Sequence, residues 1–132
     1  MKIENNIIKY YMRNVYFITG TAYAGKSTMV KLLSEKHDMI FCGENYHDTV
    51  AQAVKTPDRQ SALCYFETMS GWQEFLNRTP DEYYNWICTS SLEAAEIEIA
   101  ELIKRSAMNN KIIVDTNIPL ETLREISDYN HV

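Results

Sequence analysis

Apolar and polar positions alternate along this chain in blocks whose spacing predicts three short strands among helices. Val15–Thr19 is a run of β-branched and aromatic residues closed by Gly20, and predicts a buried strand. From Lys26 the apolar residues Met29, Leu32 and Leu33 fall at i, i+3 and i+4, leaving Lys31, Glu35 and Lys36 for solvent. That spacing predicts an amphipathic helix ending near His37. Met39–Cys42 is a second short apolar run, closed by Gly43, and Lys111–Asp115 is a third, ending in a carboxylate. Pro119 opens a last helix with Leu120, Leu123 and Ile126 on one face, ending near Tyr129 and Asn130.

Residues 44–110 carry mostly helical signals. Leu63, Phe66 and Met69 repeat at threes until Gly71 interrupts them. Thr79-Pro80-Asp81-Glu82 is a helix start, with Thr as N-cap, Pro at the first helical position and Glu three after the cap. Ser90-Ser91-Leu92-Glu93 offers a second capping box, followed by the stripe Leu92, Ala95, Ile99, Leu102 and Ile103. Residues 80–108 can therefore be two helices or one bent helix. The order β-α-β-(helices)-β-α predicts an α/β fold with a parallel sheet.

Composition bounds this picture. A chain of 132 residues, 45% hydrophobic and 23% charged, is expected to form one globular domain over residues 1–132. A net charge of −5 argues against a general nucleic-acid or acidic-membrane binder. The three cysteines, Cys42, Cys64 and Cys88, form neither a CxxC pair nor a metal spacing, and are expected to be reduced thiols in the cytoplasm. No apolar run approaches the roughly 18 residues of a membrane span, and the first residues lack a signal peptide's apolar core.

The chemistry concentrates after the first strand, where Gly20, Gly25, Lys26 and Ser27 match G-x-x-x-x-G-K-[ST]. Such a loop wraps an anion with inward-pointing backbone N–H groups, here from Ala22 through Tyr23, Ala24 and Gly25 to Ser27, backed by a helix N-terminus. Thr21 and Thr28 flank the loop and complete the expected nucleotide site. Lys26 would meet the β- and γ-phosphates, and Ser27 would ligate Mg²⁺. Asp115, closing a buried strand, is the expected second metal-site residue. The competing reading of Asp115 is a cap on the turn D-T-N-I-P.

The segments G-T-A-Y-A-G-K-S-T (Gly20–Thr28), G-E-N-Y-H (Gly43–His47) and I-I-V-D (Ile112–Asp115) together resemble the P-loop small-molecule and nucleotide kinases, the group of shikimate, gluconate and adenylate kinases. The resemblance implies a three-layer P-loop NTPase fold with core strand order 2-3-1. Its large helical excursion between strands 2 and 3 would hold the acceptor-binding elements. It also implies ATP and Mg²⁺ as cofactors and a small hydroxylated molecule as phosphoryl acceptor. G-E-N-Y-H looks like the G-D-x-x-H of gluconate-type kinases, which makes Glu44 the candidate to orient or deprotonate the acceptor hydroxyl, with Asp48 in reserve. His47 and Arg59 are candidate acceptor contacts, Arg59 because a guanidinium fork suits a carboxylate or phosphate. Asp115-Thr116-Asn117-Ile118 lacks the glycine of a GTPase D-x-x-G, and no second acid follows Asp115 as in many processing ATPases.

The rings of Tyr65, Phe66, Trp72, Phe75, Tyr83, Tyr84 and Trp86 can floor an acceptor pocket or, at helical spacing, build core. The same resemblance implies a fourth strand, an Arg-bearing lid and an adenine-contacting turn beyond Val132, so the chain is expected to be a truncated member of that architecture. Its first strand should then be a sheet edge, covered by Ile7–Tyr11, by a second copy in a homodimer, or by nothing. Two functions compete: an ATP-dependent small-molecule kinase, and a nucleotide- or phosphate-binding regulatory module that transfers nothing. An inert scaffold is a third reading.

Overall fold

The computed structural model describes residues 1–21, 25–43 and 45–132, and its centre is a three-stranded parallel sheet. Strands β1 (Val15–Ile18), β2 (Ile40–Cys42) and β3 (Ile112–Asp115) stand in the order β1-β3-β2, which is the expected 2-3-1 arrangement. The register sets Val15 beside Ile112, Ile18 beside Asp115 and Cys42 beside Val114. Around the sheet lie seven α-helices among the described residues: α1 (Asn5–Tyr11), α2 (Lys26–His37), α3 (Asp48–Val54), α4 (Tyr65–Thr68), α5 (Trp72–Leu76), α6 (Pro80–Arg105) and α7 (Leu120–Ile126). None of these helices is long and apolar enough to cross a membrane.

All four residues of β3 are buried, as a central strand covered on both faces requires. On one face Val15, Phe17, Ile112 and Val114 pack with Ala95 and Leu102 of α6 and Leu123 and Ile126 of α7. Helix α2 packs on the other face, against β3 and β2. Its buried positions are Val30 and Ser34, Leu33 is half-buried, and Met29 and Leu32 are exposed, so the packed face is rotated from the one expected from Met29, Leu32 and Leu33 and keeps only Leu33 of it. Ser34 can be buried because its hydroxyl donates to the Lys31 carbonyl at 2.7 Å.

Residues 80–105 form a single helix, which closes the choice between one and two. Thr79 caps it as expected, its Oγ1 accepting from the Glu82 N–H at 3.1 Å. The second capping box is not used. Ser90 Oγ donates to the Ile87 carbonyl within the continuing helix, and the Glu93 carboxylate accepts from the backbone N–H groups of Ala62 and Leu63. The last helix ends earlier than its spacing predicts, at Ile126, because Ser127 is extended.

Among the described residues β1 pairs only with β3, so it is an edge strand. The segment Ile7–Tyr11 does not pair with it: it lies in α1, which packs on α7. A 3₁₀ turn at Tyr129–His131 approaches β1 instead, with the His131 ring stacked on Tyr16 at 4.2 Å.

Candidate functional site

Successive side chains at a strand end point to opposite faces of the sheet. Asp115 shares the parity of Ile113 and faces α2; Thr116 shares that of Val114 and faces α6. The C-terminal end of β3 therefore serves two polar clusters, one on each side.

On the α2 side, Ser27 Oγ donates to Asp115 Oδ2 at 2.6 Å, and Lys26 Nζ lies 3.5 Å from Asp115 Oδ1. Lys26 Nζ also donates to Asn117 Oδ1 at 3.3 Å. Lys26 opens α2, directly after Gly25, whose φ of +83° is left-handed. Among the described residues a Cβ at position 25 would meet nothing within 4 Å, and the left-handed backbone is what favours glycine there. Asp115 is buried, and its Oδ1, with the Lys26 ammonium 3.5 Å away, has no hydrogen bond from any described residue. Thr116, not Asp115, caps the following turn: its Oγ1 accepts from the Ile118 N–H at 3.1 Å.

No group of three or more His, Cys, Asp or Glu side chains among the described residues could enclose a metal. A divalent ion here would draw on Ser27, Asp115, water and ligand phosphate, the donor set hard cations accept. The orphaned Asp115 Oδ1 fits that use.

On the α6 side, Thr116 Oγ1 donates to Glu98 Oε2 at 3.5 Å, and His47 Nδ1 lies 3.3 Å from Glu98 Oε1, off the hydrogen-bond axis. Glu98 is 3% exposed, and burial pushes its carboxyl up to about 7. Burial holds the His47 imidazole below its ordinary value, against the opposing pull of Asp48. Arg105, two turns beyond Glu98 on the same helix, donates to the Tyr46 carbonyl at 3.0 Å and to Glu101 Oε1 at 3.0 Å. Helix α6 thus grips the segment after β2 at two points and sets His47 beside Glu98. The two clusters meet at a cavity of about 240 Å³ lined by Glu98, His47, Asp48, Ser90, Ser91 and Asn117.

The structure brings together Lys26, Ser27 and Asp115, and separately His47 with Asp48, which lies in the first turn of α3. Gly20, Thr21 and Gly25 lead into α2, and Thr28 lies in its first turn. Ala22, Tyr23, Ala24 and Glu44 lie outside the described residues. Arg59 is not brought to the site: its side chain is 83% exposed beside Asp58. The aromatic set neither floors the cavity nor joins the core. Phe66, Phe75, Trp72 and Trp86 form a satellite cluster in which Phe66 and Trp72 stay exposed, and Arg78 stacks on Tyr65 at 3.8 Å.

Two residues that local motifs do not flag, Asn117 and Glu98, complete the geometry. The available signal for Glu98 was a carboxylate at i+3 from Ala95 and i−4 from Leu102, on the face that packs. No protein-family model matches the chain, and neither the curated proteins nor the solved structures offer a match.

Proposed function

We propose that the chain is a P-loop NTPase-type unit that binds a nucleoside triphosphate, ATP, with Mg²⁺, and that its activity is phosphoryl transfer to a small hydroxylated acceptor. The observation that carries this reading is the convergence of Lys26 and Ser27 on Asp115. A lysine, a hydroxyl and a buried carboxylate meet where the helix N-terminus and the strand end converge. Lys26 exchanges its contacts with Asp115 and Asn117 for phosphate oxygens. Ser27 and Asp115 hold the cation, which when bound neutralises phosphate charge. Glu44 is the carboxylate assigned to orient the acceptor hydroxyl, and the acceptor lies on the α6 side of β3.

A non-catalytic nucleotide-binding module is the second reading, favoured by where the arginines go. Arg13 sits over Tyr10, Arg78 over Tyr65, and Arg105 is bound to Glu101 and the Tyr46 carbonyl, so these three guanidiniums are engaged elsewhere. The test is ATP titration with and without Mg²⁺ in wild type and Ser27→Ala, followed by ADP release with a panel of hydroxylated acceptors. Mg²⁺ should tighten ATP binding in wild type and do so much less in Ser27→Ala. An identical Mg²⁺ effect in both proteins removes the metal assignment. Tight binding without acceptor-dependent ADP release selects the regulatory module.

A further inference from the structure

The acid-base groups that line the cavity on the α6 side are Asp48, Glu98 and His47. Asp48 and Glu98 contribute carboxylates, Ser90 and Ser91 hydroxyls, and Asn117 an amide, while no Lys or Arg is among its described lining residues. Burial holds the His47 imidazole below its ordinary value, against the pull of Asp48. Glu98 is the buried anchor: its side chain is 4% exposed, it lines the cavity, and its Oε1 accepts no hydrogen bond from any described residue. A carboxylate this deeply buried, with only the misaligned His47 imidazole beside that oxygen, is better satisfied when a donor or a cation meets it.

An anionic acceptor would have to enter beside these carboxylates with no guanidinium to receive it. Arg59, the residue expected to grip such an anion, points into solvent. Sugar acids and nucleoside monophosphates therefore fit this cavity badly. A molecule rich in donors fits it well, with hydroxyls on Ser90, Ser91 and Asn117 and a cationic nitrogen on Glu98.

We propose that the cavity between α6, the start of α3 and the end of β3 binds a hydroxylated amine, and that Glu98 is the residue that receives its ammonium group. That this amine is a phosphoryl acceptor rests on the phosphotransfer reading above; the ligand class does not, because it is measured by binding without turnover. Its neighbourhood to Lys26 through Asn117 places a hydroxyl of such a ligand on the side where the triphosphate is proposed to lie.

The experiment is isothermal titration of the full chain with D-glucosamine, D-glucose and D-gluconate, each with and without Mg²⁺ and a non-hydrolysable ATP analogue. Glucosamine should bind at least about tenfold more tightly than gluconate, with glucose between them. In Glu98→Gln the preference for glucosamine should shrink to about threefold or less while affinity for the ATP analogue stays the same. Asp48→Asn, an exposed change that spares the fold, should lower the same preference by a smaller factor.

Gluconate binding as well as glucosamine overturns the proposal. So does an undiminished preference in Glu98→Gln, or the absence of all three complexes in a protein that binds the ATP analogue. Failure to bind the analogue while glucosamine binds would sink the phosphotransfer reading and leave the amine site standing.

Discussion

The two sides of the β3 terminus are built by different means. On the α2 side, Lys26 and Ser27 belong to one loop-helix junction, and only Asp115 and Asn117 come from elsewhere in the chain. On the α6 side, Glu98, His47 and Thr116 come from three separate elements, assembled because one long helix spans from the Thr79 cap to Arg105. On the proposed reading the α2 side holds phosphate, and such a cluster can be local, since backbone groups and one lysine are enough for a ligand that varies little. A cavity for a particular small molecule needs side chains from distant segments. Its geometry depends on how the supporting helix packs.

Leu102→Ala is the largest expected disturbance to this contrast. Leu102 is fully buried in the core cluster with Ile112 and Val114, and its loss should cost about 3 kcal/mol of unfolding free energy. Hydrogen exchange should then rise in α6 and in residues 45–47 before it rises in α2. Equal loosening of α2 and α6 would erase the distinction between the two sides.

Glu98→Gln should act next, through pH. The folded Glu98 carboxyl titrates at about 7, above its ordinary value of 4.5. Its contribution to stability is therefore fully present below about pH 4.5 and is lost as pH rises to about 7. His47 works in the opposite sense, since its lowered folded value favours the neutral form and removes stability as pH falls below its ordinary range. Urea midpoints across this window should show Glu98→Gln gaining on wild type as pH rises, by about 3 kcal/mol at most between pH 4.5 and 8. A constant difference between the two proteins would mean that Glu98 is as well solvated folded as unfolded.

Arg105→Met should have the smallest effect, about 1 kcal/mol, because its aliphatic part keeps its packing while the contacts to Glu101 and the Tyr46 carbonyl are lost. Any glucosamine preference should weaken, and affinity for the ATP analogue should not. A parallel loss of both would show that α6 supports the two sides alike.

These same contrasts explain which parts were legible in the sequence. The strands Val15–Ile18, Ile40–Cys42 and Ile112–Asp115 are short apolar runs, and their order follows from the βαβ pattern. Lys26, Ser27 and Asp115 could be named because the first two lie within one motif and the third ends an uninterrupted apolar strand. The packed face of α2 was misread because Met29 and Leu32 are larger apolar residues than Val30, and because a serine satisfied within its own helix counts as polar in any periodicity. Glu98 was hidden for a related reason. A charge inside an apolar stripe looks like an interruption until the whole helix is seen to be continuous and Thr116 and His47 are found opposite it. Arg59 illustrates the converse: a plausible residue type in a polar loop says nothing about which way the loop turns it.

The central claim is that Lys26, Ser27 and Asp115 mark a triphosphate site, and titration of Mg²⁺-ATP into wild type and Lys26→Ala tests it most directly. Removing a charge-assisted contact to phosphate should raise Kd by about 100-fold or more, with the melting temperature of the unliganded protein little changed. Equal affinity in the two proteins, or no binding by wild type, would contradict the account.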